Sequence, residues 1–420
     1  MKLDKSECEY CKNLQSTGVV SKEMTKTINI FLIVRNFTFD VNFLRNSGKD
    51  SIAISGISGR YPSCGNMEEL QKALFAGQDL VTDNHNRWSF ESLGTSPRLG
   101  LVKDFEHFDA DFFGMNPREA NINDPRLRKL LEVTFEALMD AGLNPRELRG
   151  SNTGVFLGIS QNLYSDLGFK GGIVQRSAAI IANMVSYMFD FRGPSYALDT
   201  ACSSGLYALN QAVDNILSGR CSMAIACVVS QYDPAESVEM LRLGVLHLEG
   251  VCRSFDLNRK GYVKSEAVVA IVLQKCEECK RIYATISGCG TNVNGFTKEG
   301  LNHPSRQAIK AMFEAVFNRF NIDPLAVNYV EAHGTGTTVG DLEEAETIDE
   351  YLCQNRSRNF PLLIGSVKSN LGHSETASSL VSISKVIIAI REGIIPGNLH
   401  YKNPDPKIKG IHEGRLKVGF

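Results

Sequence analysis

From residue 51 onward, short apolar runs alternate with longer amphipathic segments. The run SIAISGIS predicts a strand, and MEELQKALFAG, which follows it, has the apolar spacing of a helix. TGVFLGIS predicts another strand, and residues 174–189 predict another helix. Regular alternation of strands and helices is typical of an α/β fold.

The same alternation returns in the second part of the chain. YATISGCGTNVNG, AVNYVEA and PLLIGSV predict strands, while residues 304–320, the segment after Gly340 and residues 375–392 predict helices. We therefore expect two halves of similar build, residues 50–280 and residues 281–420. Residues 1–49 are polar and lack a sustained pattern, so they are predicted to form an N-terminal extension of unknown role.

Composition narrows the class of protein. The 420 residues are 43% hydrophobic, which is enough for a large core. Forty-five basic and 47 acidic residues give a net charge of −2, which argues against nucleic acid or an anionic membrane as partner. The apolar run near the start, residues 30–34, is too short to span a bilayer. These features predict a cytoplasmic protein that binds no membrane.

Eleven cysteines are scattered without the spacing of a disulfide framework, which predicts reduced thiols. Two CxxC pairs occur, Cys8 with Cys11 and Cys276 with Cys279, and each could supply half of a zinc site. The pairs are far apart in sequence, and no histidine cluster lies near either. No bound metal is therefore predicted.

One cysteine lies where a thiol can be activated. In SYALDTACSSGLYALNQAV a strand pattern ends shortly before Cys202 and a helical pattern begins just after it. The N–H groups and the dipole at a helix start stabilise a thiolate. Ser203 and Ser204 can cap the helix, and Gly205 permits a close approach. The alternative is that Cys202 is one more small buried residue.

Two histidines lie in similar turns. His333 in VEAHGTGTTVGD and His373 in GSVKSNLGHSETAS each follow a predicted strand and precede a predicted helix. Residues just past the carboxyl ends of strands line the ligand crevice of α/β sheets, so these turns and that of Cys202 can converge on one site. The run GTGTTVG lacks the order of a dinucleotide-binding loop, and the sequence around Cys202 does not match a papain-like protease.

DTACSSG, VEAHGTGT and KSNLGH resemble the three active-site motifs of β-ketoacyl synthases, in the order and approximate spacing of that family. Flanking segments such as FDFRGPSYALDTACSSG, LGVLHLEGVCRSFD and GYVKSEAVVAIVL look like the ketosynthase domain of animal-type (type I) fatty acid synthase. The resemblance runs from about residue 51 to the end of the chain. It implies a thiolase-like α/β fold, with two pseudo-symmetric halves in a five-layered αβαβα arrangement, and a homodimer.

The resemblance also implies a reaction and assigns its catalytic residues. Cys202 would accept an acyl chain from an acyl carrier protein as a thioester. His333 and His373 would bind the carbonyl of a malonyl thioester and promote loss of CO₂, because imidazole N–H groups stabilise the developing negative charge. The resulting carbanion would attack the acyl group on Cys202. This is the decarboxylative Claisen condensation of fatty acid biosynthesis.

Further residues match supporting positions of the family. Lys368 and Glu344 would form a pair that holds the histidine loops, whereas a solvated pair of this kind would contribute little. Thr335 and Thr337 would bind the amides of the 4′-phosphopantetheine arm that carries the substrates. No cofactor would be bound directly. The implied partners are the carrier protein and the other domains of a multidomain synthase.

Some positions depart from the family pattern. Thr376 and Ser379 replace Pro and Gly, Leu342 replaces Pro, and Lys264 replaces Arg. The family also continues after the GRLKV segment into a glycine- and phenylalanine-rich loop with a second oxyanion donor, so a C-terminally incomplete domain of lower activity is expected. Two alternatives follow: a polyketide synthase ketosynthase, or a catalytically impaired ketosynthase-like dimerisation module.

Overall fold

The computed structural model describes residues 29–34, 37–42, 51–85, 94–160, 177–300 and 303–419. The pair Cys8 and Cys11 and most of the predicted N-terminal extension lie outside these residues. The strands within them are β1 (Asn29–Val34), β2 (Phe37–Asn42), β3 (Ile52–Arg60), β4 (Thr153–Gly158), β5 (Ser195–Leu198), β6 (Met223–Ser230), β7 (Ala267–Lys275), β8 (Ala284–Thr291), β9 (Tyr329–Ala332), β10 (Leu362–Gly365) and β11 (Leu416–Val418).

Six of the eleven α-helices in the same residues coincide with segments that the sequence predicts to be helical, and five were not predicted. The eleven helices are α1 (Met67–Phe75), α2 (Pro117–Ile122), α3 (Pro125–Asp140), α4 (Ala178–Phe189), α5 (Ser204–Leu217), α6 (Pro234–Arg242), α7 (Arg306–Phe320), α8 (Gly340–Leu352), α9 (Lys368–Leu371), α10 (Ser378–Glu392) and α11 (Lys409–His412). None of these helices has the length and apolar character needed to cross a membrane.

The first half of the chain forms five adjacent strands in the order β3-β7-β6-β4-β5. β5, β4 and β6 run parallel, and β7 is antiparallel to both β6 and β3. Every residue of β4 and β6 is buried. Such strands lie between layers that cover both faces, which explains their nearly continuous apolar sequences.

The second half repeats this arrangement. Its strands lie in the order β8-β2-β1-β9-β10, again with three parallel strands and one strand antiparallel to both of its neighbours. β11 extends this half next to β10, and a short ladder between β3 and β8 joins the halves. The common order and directions confirm the predicted pseudo-symmetry.

β1 and β2 differ from the sequence-based expectation. They belong to residues 1–49, in which no regular element was predicted, yet they lie inside the sheet between β8 and β9. Their backbone ladders with these neighbours satisfy N–H and C=O groups that would otherwise form exposed strand edges. The extension therefore includes two antiparallel strands that are part of the second half of the fold.

The helices complete five layers. α3 and α4 cover the outer face of the first half, and α7 packs on β8 and β2 with α8 beside it on the outer face of the second half. α5 and α10 lie between the halves, where α5 contacts β4, β6, β8 and β2. Separate apolar clusters fill the central layer and the two outer interfaces. This is the expected αβαβα arrangement.

The two central helices pack tightly against each other at Gly205. A Cβ atom at this position would overlap with Ser379 Oγ of α10 and lie 2.8 Å from Val228 Cγ1 of β6. The structure therefore confirms that Gly205 permits a close approach. The hydroxyl of Ser379 makes this contact tighter than a glycine would.

We expect Gly205→Ala to lower the free energy of unfolding by about 1–3 kcal/mol, because the added methyl forces two buried elements apart. Urea denaturation measures this loss. Ser379→Gly in the Gly205→Ala background removes one of the two overlaps and should restore part of the stability. An unchanged midpoint for Gly205→Ala would contradict the packing described here.

Candidate active site

Cys202 lies in the turn that joins β5 to α5. A 3₁₀ turn, Ala201–Ser203, separates the end of β5 from the first residue of α5, Ser204. Ala201 adopts a φ of 53°, which non-glycine residues rarely tolerate outside sites where the surrounding structure enforces it. The turn thus holds the half-buried thiol of Cys202 at the N-terminus of a 14-residue helix, as predicted.

The two serines of this turn do not cap α5, so that part of the prediction was wrong. Ser203 Oγ donates to the carbonyl of Thr200 (2.8 Å), and Ser204 Oγ donates to the carbonyl of Ala201 (2.7 Å) while accepting from Thr200 N–H (2.9 Å). No side chain caps the first turn of the helix. The hydroxyls instead stabilise the turn that carries Cys202.

The other cysteines provide a contrast. Nine free cysteines lie among the described residues, and most of them are buried in apolar surroundings. Burial raises the pKa of Cys227, Cys252 and Cys289 to about 12 and keeps these thiols protonated. Cys279 donates its thiol to the carbonyl of Lys275 (3.2 Å). These environments favour Cys202 as the reactive thiol.

His373 contacts Cys202 directly. Its Nε2 lies 3.2 Å from Cys202 Sγ, within hydrogen-bond distance, and the side chain is buried. Burial lowers the pKa of His373 well below its usual value, and the positive charges of Lys368 and Lys264 lower it further. The imidazole is therefore neutral near pH 7, with one ring nitrogen that donates and one that accepts.

The backbone fixes the position of His373. Its N–H donates to the carbonyl of Val263 (2.8 Å), and its carbonyl accepts from Ser265 N–H (3.0 Å). The ring of Tyr262 meets the imidazole edge to face, with centroids 4.8 Å apart. A main-chain bridge and a packed ring thus hold the imidazole against Cys202.

His333 follows β9 and faces the same point. Its ring centroid lies 5.3 Å from that of His373, at an interplanar angle of 85°. Ligand atoms of Cys202, His333 and His373 all lie within 4.8 Å of one another. The structure thus brings together the three turns that the sequence singled out. Thiolate and imidazole are also ligands for zinc, so this cluster could hold such an ion.

Glu344 on α8 holds the His333 turn. Its two carboxylate oxygens accept the backbone N–H groups of His333 (2.7 Å) and Gly334 (2.9 Å). Burial raises the pKa of Glu344 to about 8, against the lowering effect of these two N–H donors. The Glu344 side chain therefore holds the backbone of the turn that carries His333.

The predicted pair of Lys368 and Glu344 is not formed. Lys368 Nζ is buried, has no hydrogen-bond partner among the described residues and makes no ion pair with Glu344. Burial lowers the pKa of Lys368, while the carboxylates of Glu331 and Glu344 act against this change. The two oxygens of Glu344 instead accept the backbone N–H groups of the His333 turn.

Replacing Glu344 tests its role in the His333 turn. We expect Glu344→Gln to lower kcat by about 10- to 100-fold, because an amide can accept one of the two N–H groups but points a donor at the other. Steady-state kinetics with a malonyl thioester measures the effect. Glu343→Gln on the same helix is the matched control, since Glu343 binds Arg306 away from the turn (2.9 Å). Equal activities of the two variants would exclude this role.

A buried ion pair that was not predicted from the sequence supports the segments that precede His333 and His373. Glu331 of β9 binds Lys385 of α10 at 2.9 Å, and both side chains are fully buried. Glu331 also accepts the N–H of Val367 (2.6 Å) and the hydroxyl of Tyr329. It thereby ties the strand before His333 to the residue before Lys368.

Lys264, which replaces the family's usual Arg, is the centre of another network. Its ammonium lies 3.0 Å from Glu236 and 3.2 Å from Glu375, and Tyr262 donates to Glu375 (3.3 Å). Burial raises the pKa of Glu375 to about 7. The segments GYVKSEA and GHSETAS contain three of these residues, but only the fold shows that they meet beside His373.

A cavity of about 700 Å³ connects these groups. Cys202, His333 and His373 line it together with Thr335 and Thr337, whose hydroxyls lie 3.1 Å apart. Apolar side chains form much of the remaining wall: Met240, Leu243, Val245, Ile309 and Val339. The site can hold an elongated, mostly apolar molecule whose reactive end meets a thiol and two imidazoles.

Comparison with known proteins gives a consistent result. The family model for the beta-ketoacyl synthase N-terminal domain matches residues 49–278, and that for the C-terminal domain matches residues 283–402. A fatty acid synthase sequence from Anser anser anser is 42% identical over 355 residues, which are 82% of this chain and all of that sequence.

Polyketide synthases are also similar. Probable polyketide synthase 1 of Dictyostelium discoideum is 36% identical over 409 residues, 87% of this chain but 13% of the relative. The solved ketosynthase from module 6 of the bacillaene synthase of Bacillus subtilis 168 superimposes with a TM-score of 0.82 at 32% identity, covering 88% of this chain and 66% of that one. The chain thus spans a small part of the long synthases it matches.

Proposed function

This chain belongs to the β-ketoacyl synthase family, and from this membership we propose that it transfers an acyl group to Cys202 and condenses it with malonyl on a carrier protein. The observation that carries the proposal is the 3.2 Å contact between Cys202 Sγ and the neutral imidazole of His373, with His333 at the same point. A condensing enzyme needs a nucleophile and donors for an enolate, and this arrangement supplies both.

The first half-reaction loads the enzyme. Cys202 sulfur attacks the carbonyl carbon of an acyl thioester, the bond to the carrier's sulfur breaks, and the carrier thiol leaves with the proton that Cys202 gives up. The N-terminus of α5 stabilises the thiolate during the attack. His373 is within reach to hold the proton in transit.

The second half-reaction forms the carbon–carbon bond. The malonyl carboxylate leaves as CO₂, and its bonding electron pair remains on the α-carbon as an enolate. N–H groups of His333 and His373 stabilise the enolate oxygen. The α-carbon then attacks the acyl carbonyl, the bond to Cys202 sulfur breaks, and the released thiolate takes up a proton from solvent as the β-ketoacyl thioester leaves.

The substrates arrive, in this proposal, on the 4′-phosphopantetheine arm of an acyl carrier protein. Thr335 and Thr337 line the cavity beside His333 and offer hydroxyls to the amides of the arm. The enzyme acts as a homodimer within a larger synthase. β5 supports dimerisation, because it ends the sheet and pairs only with β4 among the described strands.

A fatty acid product is favoured by the 42% identity to a fatty acid synthase, and a polyketide product is the alternative that the other relatives support. A fatty acid synthase and a polyketide synthase would use the same chemistry at Cys202. Product analysis after extension of a labelled starter thioester separates them, since a fatty acid synthase gives fully reduced chains once its other activities are present.

Mapping the acyl adduct tests the proposal. Incubation with a labelled acyl thioester or with cerulenin, followed by mass spectrometry of peptides, should place one adduct on Cys202 of the folded protein. Heat-denatured protein is the control and should lose this selectivity. Folded protein without an adduct on Cys202 would overturn the proposal and favour an impaired dimerisation module.

A further inference from the structure

A second cavity, of about 330 Å³, opens beside the active-site cavity, and Lys260 lines both. A water molecule occupies about 30 Å³ in the liquid, so this cavity has room for a polar group of several heavy atoms. Its charged lining consists of Arg253, Lys260, His400, Lys402, Glu249 and Asp256. The fixed cations therefore outnumber the carboxylates by three to two.

The two carboxylates of this cavity are already engaged. Asp256 is almost fully buried, and it accepts the backbone N–H groups of Asn258 (2.8 Å), Lys402 (2.7 Å) and Asn403 (2.7 Å). Glu249 binds the guanidinium of Arg253 at 2.8 Å. Among the described residues, neither acid forms an ion pair with Lys260 or Lys402.

The lysines remain available for an anion. Lys260 and Lys402 are exposed, and neither ammonium forms an ion pair within the described ranges. The positive field of the cavity acts on buried His247, whose pKa is lowered by burial and further by Arg253, Lys260 and His400. His400 also has a φ of 61°, a strained conformation for this residue.

The cavity shares a wall with the turn that carries the threonines. Gly261 N–H donates to the carbonyl of Gly336 (2.8 Å), and a Cβ at Gly336 would lie 2.9 Å from the backbone nitrogen of Arg253. The segment with Arg253 and Lys260 thus packs directly on the turn with Thr335 and Thr337. Lys260 lines the larger cavity together with Cys202, Thr335 and Thr337, and it also lines the smaller one.

We propose that this cavity is a subsite for the phosphate group at the outer end of the substrate's pantetheine arm. The proposal rests on the function proposed above, because it assigns a role to a neighbouring site on the same substrate. Lys260 and Lys402 bind the phosphate oxygens, and Arg253, fixed by Glu249, adds positive charge. The same phosphate chemistry occurs on a carrier protein and on a free coenzyme A thioester.

Binding to the full chain tests the subsite independently of turnover. Isothermal titration compares 4′-phosphopantetheine with pantetheine, which lacks the phosphate. We expect the phosphate to tighten binding to the native protein by about tenfold, and Lys260→Gln/Lys402→Gln to abolish this difference. Lys260→Arg/Lys402→Arg should retain it. Lys72→Gln/Lys103→Gln, which removes two exposed lysines elsewhere, is the charge-matched control and should behave as wild type.

Kinetics with malonyl thioesters distinguishes the outcomes. The double Gln variant should raise KM about tenfold for malonyl-4′-phosphopantetheine, malonyl-coenzyme A and the malonyl carrier protein, and should leave KM for malonyl-pantetheine unchanged. An effect confined to the carrier protein, or equal effects with and without phosphate, would overturn the phosphate subsite. Phosphate-dependent binding without turnover of any substrate would support the subsite and contradict the proposed function.

Discussion

Cys202→Ala is expected to reduce condensation by at least about 10³-fold while leaving the protein folded, because the reaction then has no atom to carry the acyl group. The substituted side chain is half-buried and lines the active-site cavity, outside the apolar core clusters. Single-turnover assays with labelled acyl thioester measure the loss, and circular dichroism monitors the fold.

Alkylation of the native protein gives the complementary result. Iodoacetamide should label Cys202 first and abolish activity, since burial raises the pKa of the thiols in the core and hides them. Cys276→Ser is the matched control, because Cys276 is also half-buried but lies in a 3₁₀ turn remote from the cavity. If alkylation at another cysteine accounts for the inactivation, the assignment of Cys202 fails.

The local pattern was sufficient to predict where the three chemical turns lie. Each of Cys202, His333 and His373 lies in a polar, glycine-containing turn between a predicted strand and a predicted helix. Such turns meet at one edge of the sheets, because strand direction and helix crossovers constrain where they lie. The structure brings them within hydrogen-bond or ring-contact distance. Hydrophobic periodicity predicts these turns because each turn is defined by the strand and the helix that flank it in sequence.

Contacts between distant segments could not be predicted in the same way. Glu344 was expected to bind Lys368, but the folded backbone presents two N–H groups closer to its carboxylate. The positions of β1 and β2 depend on open strand edges that form only when the second half assembles. The network around Lys264 likewise joins Glu236 and Glu375 from separate elements. The sequence shows which side chains can form ion pairs or hydrogen bonds, but it does not show which of them come together in the fold.

His333→Ala should separate the two half-reactions. Acyl transfer to Cys202 should persist within about tenfold, whereas loss of CO₂ from the malonyl thioester should slow by about 10²- to 10³-fold, the typical cost of removing one donor to a developing oxyanion. Release of labelled CO₂ and acylation of Cys202, measured on the same preparation, give the two rates. Equal losses in both would show that His333 acts on the fold or on acyl transfer instead.

The pH dependence tests the neutral state of His373. Because its pKa lies well below the usual imidazole value, protonation of His373 should lower the rate of decarboxylation only below about pH 6.5. The free energy of unfolding should also decrease in acidic solution. Below about pH 6.5 the unfolded chain binds a proton here that the folded chain does not, so the free energy of unfolding falls as pH falls. His373→Asn removes this titration and should flatten that part of the stability profile. If instead the rate of decarboxylation falls with a midpoint at the ordinary imidazole pKa, His373 is not held neutral by burial and by Lys368 and Lys264.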